Sequence, residues 1–193
     1  AQSRRAFGRV IISFPPILEK LARLKTEWIR ALYSSWLVTQ LDERVDAGTA
    51  THDERLFYRF LVNANKYAVS LQCTEAVRTA MGVLGGNGTI ENFSVLPRLS
   101  RDSQVYELWE GTHDVLCAQI LRDLSESGSD VIFDALYSMV KHESNPNAAR
   151  VILDAAELQK KMNRAIADSD HGALHISTYV KDGMRLFQTA HIL

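Results

Sequence analysis

Glu110 stands within Leu108-Trp109-Glu110-Gly111-Thr112, a carboxylate between a bulky apolar pair and a glycine where a helix should begin. A carboxylate so placed can remove a proton from a weakly acidic carbon, provided it is positioned and water is excluded. Leu108 and Trp109 offer the apolar wall for that exclusion, and the free N–H groups of a helix start favour anionic or polar partners such as Thr112 and Asp114. Taken alone, Glu110 reads as an ordinary first-turn glutamate, a residue that helix starts attract. Upstream, Leu84-Gly85-Gly86-Asn87-Gly88 closes a helical stretch. A glycine pair there is usually a C-cap, yet its missing side chains also let a ligand approach the backbone. Further upstream stands Arg4-Arg5-Ala6-Phe7-Gly8, whose arginines could be plain surface residues near a chain end or phosphate partners.

The elements that must position these residues are helices. Ile17, Leu21, Leu24, Trp28 and Leu32 recur at three- and four-residue steps and predict one helix from Pro15-Pro16 to about Ala47-Gly48. Thr51-x-x-Glu54 reads as a capping box opening a second helix through Leu56, Phe60, Tyr67, Leu71, Thr74 and Val77 to Gly85-Gly86. Residues 87–108 lack a sustained period and read as a long loop with one short helix at most. Thr112 is expected to cap a third helix carrying Val115, Leu116, Ile120, Leu121 and Leu124. Ser125-Glu126-Ser127-Gly128-Ser129 reads as a linker. Helical segments at about 130–142, 146–168 and 172–190 follow, broken at Asn145-Pro146 and His171-Gly172. The last carries the stripe Ile176, Tyr179, Val180, Gly183, Phe187 and Ala190. No strand pattern, internal repeat or low-complexity tract stands out.

These motifs, in this order and spacing, resemble the C-terminal helical domain of acyl-CoA dehydrogenases over residues 1–124. The resemblance implies an all-α antiparallel bundle with extra C-terminal helices in residues 125–193 packed upon it, and FAD as the cofactor. By it, Glu110 takes the α-proton of an acyl-CoA thioester while the β-hydride passes to the flavin. The Glu110 N–H and a flavin ribityl hydroxyl hold the thioester oxygen. Gly111 permits close approach and Trp109 lines the acyl pocket. Thr112 and Asp114 match positions that reach the flavin from the helix start. Gly85 and Gly86 match the segment lying against the flavin nucleotide moiety of a neighbouring subunit, and Arg4 and Phe7 match an Arg-x-x-Phe-Gly element whose arginine pairs with the pyrophosphate. Partners implied are an acyl-CoA substrate, a homodimer or homotetramer, and an electron-transferring flavoprotein as acceptor.

The chain also departs from the family pattern. Gly82 stands where a glutamine is common, Phe14-Pro15 where a polar pair is common, and the segment from Gly88 to Arg101-Asp102 is one residue longer than in straight-chain members. These features lean toward divergent relatives, including the alkylation-response flavoproteins. The family's N-terminal helical domain, its β-domain and the bundle's first helix are not within these 193 residues, so the segment by itself is expected to bind flavin poorly and not to turn over. An acyl-CoA oxidase shares the base and flavin; oxygen consumption against reduction of the flavoprotein acceptor separates the two. DNA binding through a basic tail, as in alkylation-response relatives, is disfavoured by seven Lys/Arg against nine Asp/Glu in residues 125–193. A plain helical interaction module is the remaining alternative.

Composition bounds the rest. With 193 residues, 46% of them hydrophobic, the chain can bury a full core. Its net charge of −1 gives no general pull toward nucleic acid or anionic lipid. No apolar run reaches the ~18 residues of a membrane span, and no secretory signal is evident, which points to the cytoplasm, or to the mitochondrial matrix in a eukaryote. Cys73 and Cys117 are expected as buried thiols in a reducing compartment, which makes the glycosylation patterns at Asn87 and Asn92 chance matches. Trp28 and Trp36 are expected in a core or an interface. His171 and His175, one turn apart behind Asp168 and Asp170, form a weak metal candidate, and no metal is expected there.

Overall fold

A computed structural model describes residues 2–141, 143, 145–168 and 173–190. Seven α-helices among them carry the fold: α1 (Pro15–Asp46), α2 (His52–Leu84), α3 (Leu96–Leu108), α4 (His113–Ser127), α5 (Asp130–Val140), α6 (Pro146–Ala167) and α7 (Ala173–Ala190). The all-α architecture is the one expected. Residues group into two compact units, Ala1–Ile29 with Val69–Trp109, and Arg30–Ala68 with Glu110–Leu193.

The α1–α2 hairpin turns where the sequence places it. Gly48 takes a φ of 70° after α1. Thr51 and Glu54 then form the capping box: the Thr51 N–H donates to Glu54 Oε2 at 2.8 Å and the Glu54 N–H to Thr51 Oγ1 at 3.2 Å. Arg44 braces the turn by pairing with Glu54 at 2.8 Å. Antiparallel rungs between the helices are Tyr58 to Asp42 and Asn65 to Ser35 in the second unit, and Gln72 to Glu27 in the first.

Three expectations about local structure need correction. Residues 87–108 are not mainly loop, because Gly85–Thr89 forms a 3-10 turn and Leu96–Leu108 a full helix. Its fully buried positions are Pro97 and Ser103, whereas Leu99, Val105, Tyr106 and Leu108 are exposed, so hydrophobic periodicity could not report it. A strand pair is also present: Arg5–Ala6 and Arg9–Val10 pair antiparallel across a Phe7-Gly8 turn. Two-residue strands are too short for alternation to show, and Phe7 at φ 49° replaces the usual Asn or Asp of such a turn. The serine-rich stretch is not an open linker. α4 runs on to Ser127, Gly128 reverses the chain at φ 76°, and Ser129 is buried, its hydroxyl donating to Asn163 Oδ1 at 2.6 Å.

In the second unit α7 packs against α4, α5 and α6. Ile176, Val180, Phe187 and Ala190 of the expected stripe are buried, joined by Met184 and Gln188, while Tyr179 is half-buried. Phe187 meets Phe57 and Phe60 of α2 at ring distances of 5.3 and 6.2 Å. The fully buried Gln188 amide donates to Ser34 Oγ at 3.2 Å, so an uncharged polar pair ties α7 to α1 inside the core.

The two cysteines, both expected to be buried, part ways. Cys117 is buried, and its thiol is pushed up to about 11 by that burial and by the Asp114 charge. Cys73 is exposed. Its amphipathic setting suggested burial, but a helix face in this chain need not face the chain's own core. The same reason removes Trp28 and Trp36 from the core, since they are 62% and 59% exposed. Asp170, His171 and the break at Gly172 lie outside the described residues, and the His175 ring sits 6.1 Å from Tyr179. No helix among the described residues is long and apolar enough to cross a membrane.

Candidate functional site

The nominated residues divide between the units. Arg4, Phe7, Gly85, Gly86 and Trp109 lie in the first, and Glu110, Gly111, Thr112 and Asp114 in the second.

In the first unit the hairpin brings Arg4 to the glycine turn. Its carbonyl accepts from the Ile11 N–H at 2.8 Å, which fixes the backbone beyond the strand pair. The Arg4 guanidinium then lies 3.8 Å from where a Cβ on Gly85 would stand. Gly85 adopts φ 63°, the left-handed conformation expected where a glycine ends a helix, and nothing lies within 4 Å of a Cβ added to Gly86. The result is an exposed strip of bare backbone beside a cation. Phe7, by contrast, projects into solvent at 95% exposure, with its ring edge toward Phe14.

The glycine that sterics require is one the sequence did not single out. Gly88 is buried, and a Cβ there would sit 2.4 Å from the Met81 carbonyl oxygen and 2.8 Å from Met81 Cα. Those are backbone atoms and cannot rotate away. Gly88→Ala should therefore cost ~2 kcal/mol as an overpacked site, read as a lower melting temperature. Gly86→Ala, which meets open space, is the control; equal melting for both variants would show that the turn yields. The Gly-Gly-x-Gly spacing was the available signal.

Trp109 caps α3, its N–H donating to the Val105 carbonyl at 3.1 Å, and its half-exposed ring meets Tyr106 edge-on at 5.8 Å. From there the backbone makes a sharp connection. Glu110 has φ 55° and Gly111 φ 100°, a left-handed pair between α3 and α4. A non-glycine residue in this region carries strain and marks a place to seek function. Thr112 occupies the N-cap position expected of it but makes no side-chain cap bond. Its carbonyl accepts from the Leu116 N–H at 3.0 Å. Glu110, Thr112 and Asp114 are exposed, with Asp114 in the first turn of α4. Gly111 is constrained twice, by its φ and by Leu116 Cδ2, 3.3 Å from any added Cβ.

Sequence reasoning missed Lys66. Its ammonium group, carried on α2, donates to the Gly111 carbonyl at 2.7 Å in a part-buried position. The following residue, the buried Tyr67, packs against His113 at the start of α4, the two rings tilted with centroids 4.6 Å apart. A lone lysine within a long helix carries no local signal of such a contact.

Comparison with known proteins places the chain in a family. A family model for the acyl-CoA dehydrogenase C-terminal domain matches residues 1–125. AidB of Escherichia coli (strain K12) is 32% identical over 142 residues, covering 70% of this chain and 24% of that protein. Acyl-CoA dehydrogenase family member 11 of Caenorhabditis elegans is 28% identical over 122 residues, covering 63% of this chain and 20% of that protein. The chain thus spans a quarter or less of the curated relatives it matches. Among solved structures, Caenorhabditis elegans ACDH-11 in complex with C11-CoA superposes with a TM-score of 0.88 at 21% identity, over 99% of this chain and 34% of that one. The Bd2924 apo-form gives 0.80 at 22% identity, over 100% and 37%. At these identities the two structures speak to the fold.

Proposed function

The chain belongs to the acyl-CoA dehydrogenase family, and we propose that it is the C-terminal helical portion of a flavin-dependent acyl-CoA dehydrogenase with Glu110 as the base. The observation that carries this reading is the Glu110–Gly111 connection, where a carboxylate in the left-handed conformation sits exposed directly before α4. Backbone strain held at that point is the kind that persists where geometry serves chemistry. Glu110 takes the α-proton of the thioester onto a carboxylate oxygen, and its N–H holds the thioester oxygen. Gly111 keeps that approach free of a side chain, and Trp109 lines the acyl path. Flavin, when bound, supplies the acceptor for the β-hydride. Thr112 and Asp114 stand by the free N–H groups of α4, where a polar cofactor group would be held.

The first unit supports FAD by its own chemistry. Arg4 has no acidic partner among the described residues, and it stands beside glycines that present backbone without side chains. A guanidinium next to bare backbone suits a pyrophosphate, which arginine grips bidentately. In the assembled enzyme this cofactor belongs to a neighbouring subunit. Trp28 in the first unit, and Leu32 and Trp36 in the second, are each more than half exposed, and large apolar side chains of that kind are normally covered where they cluster. A homodimer or homotetramer covers them, residues 125–193 form an additional tail on the 1–124 bundle, and an electron-transferring flavoprotein takes the electrons. The 193 residues alone bind flavin weakly, because the family's remaining domains complete the site.

The test is the visible spectrum of the full-length protein, titrated with acyl-CoA thioesters of graded chain length. The oxidised-flavin band should bleach with at least one of them. Arg4→Ala should release flavin while helicity and oligomeric state persist. A full-length protein that purifies colourless and takes up no flavin would make this a helical interaction module instead.

A further inference from the structure

The strained connection at Glu110 lacks the usual means of holding a helix start, since the Thr112 side chain makes no cap bond. What holds it comes from α2. Lys66 donates to the Gly111 carbonyl at 2.7 Å, and Tyr67, the next residue, packs on His113 at 4.6 Å. The two contacts fall on either side of Thr112 and act on consecutive residues of one long helix. A charged donor makes a stronger bond than a neutral one, and here it fixes the peptide unit that follows the Glu110–Gly111 pair. A left-handed φ of 55° at Glu110, a non-glycine residue, persists where the surroundings over-determine it. Gly111 provides the freedom to enter this conformation; Lys66 provides the reason to stay.

We propose that Lys66 is the positioning residue for Glu110: by holding the Gly111 carbonyl it keeps the connection in the left-handed conformation that aims the Glu110 carboxylate and N–H. This rests on Glu110 being the base. Lys66 itself transfers no proton and acts through the backbone. Lys66→Met keeps most of the apolar stem and removes the charge and the donor, so α2 should remain intact.

The experiment uses the full-length protein and two readouts. Amide hydrogen exchange, followed by mass spectrometry across residues 109–113 of the flavin-free protein, should rise at least tenfold in Lys66→Met while the rest of α2 is unchanged. Flavin reduction by undecanoyl-CoA in the reconstituted protein should slow at least tenfold, with the thioester concentration for half-saturation moving less than threefold. Lys66→Arg, which keeps a charged donor, should recover most of both, and it carries the test if the methionine variant fails to fold. Unchanged exchange in Lys66→Met, or an arginine variant that folds normally yet is no better than methionine, would overturn the proposal and leave the base assignment standing. A Glu110→Gln variant that reduces flavin normally would instead sink the base assignment, and this proposal with it.

Discussion

Glu110→Gln in the full-length enzyme is expected to keep its flavin and to lose at least ~10²-fold in turnover, the usual range for a positioned general base. The amide is nearly isosteric, so the connection between α3 and α4 should keep its shape while losing the carboxylate proposed to accept the proton. The effect should fall on the rate of flavin reduction and less on thioester affinity, because the Glu110 N–H is part of the backbone and survives the substitution. The structure makes the control unusually clean: Glu110 is exposed, so its replacement creates no cavity and leaves no buried partner unpaired. Near-normal α-proton exchange and flavin reduction in the glutamine variant would remove Glu110 from the mechanism.

Glu110 stands out in the sequence through the residues around it, which give no sign of its backbone conformation. Glu-Gly-Thr is a local pattern and is legible as one. A φ of 55° at a glutamate is not local, since glutamate has no preference for that region and adopts it here against its own propensity. The stabilising contact arrives from Lys66, 45 residues away in the chain. The same division runs through the fold. The long helices α1, α2, α6 and α7 were readable because their periodic faces and end signals agree. α3 was not, because proline and serine fill its buried positions. The stretch 125–129 was misread because serine and glycine make flexible linkers and tight buried turns alike. Only the Asn163 carbonyl across from Ser129 decides between them. Trp28, Trp36 and Cys73 mark the limit of amphipathic reasoning. A hydrophobic face in the sequence says that burial is favoured, not that the chain's own core supplies it, and these residues are exposed.

Deleting residues 125–193 is expected to have the largest effect on folding. α6 and α7 pack against α4, where Leu116, Ile120 and Leu124 are buried at 3%, 0% and 2% exposure. Phe187 also packs against Phe57 and Phe60 of α2. Each large apolar side chain returned to water forfeits about 1.5–3 kcal/mol. Several lost together reach the whole stability of a typical domain, roughly 5–15 kcal/mol. Ser34, buried at 3% exposure, would also lose the Gln188 amide that meets it. A 1–124 segment should therefore aggregate or melt without a cooperative transition, where the 193-residue chain melts as a folded protein. Light scattering during size-exclusion chromatography and a helical melting curve measured on both decide the matter. If the 1–124 segment is monomeric, fully helical and melts at the same temperature as the longer chain, the tail is an independent appendage. The packing of α7 on the bundle would then contribute nothing to its stability.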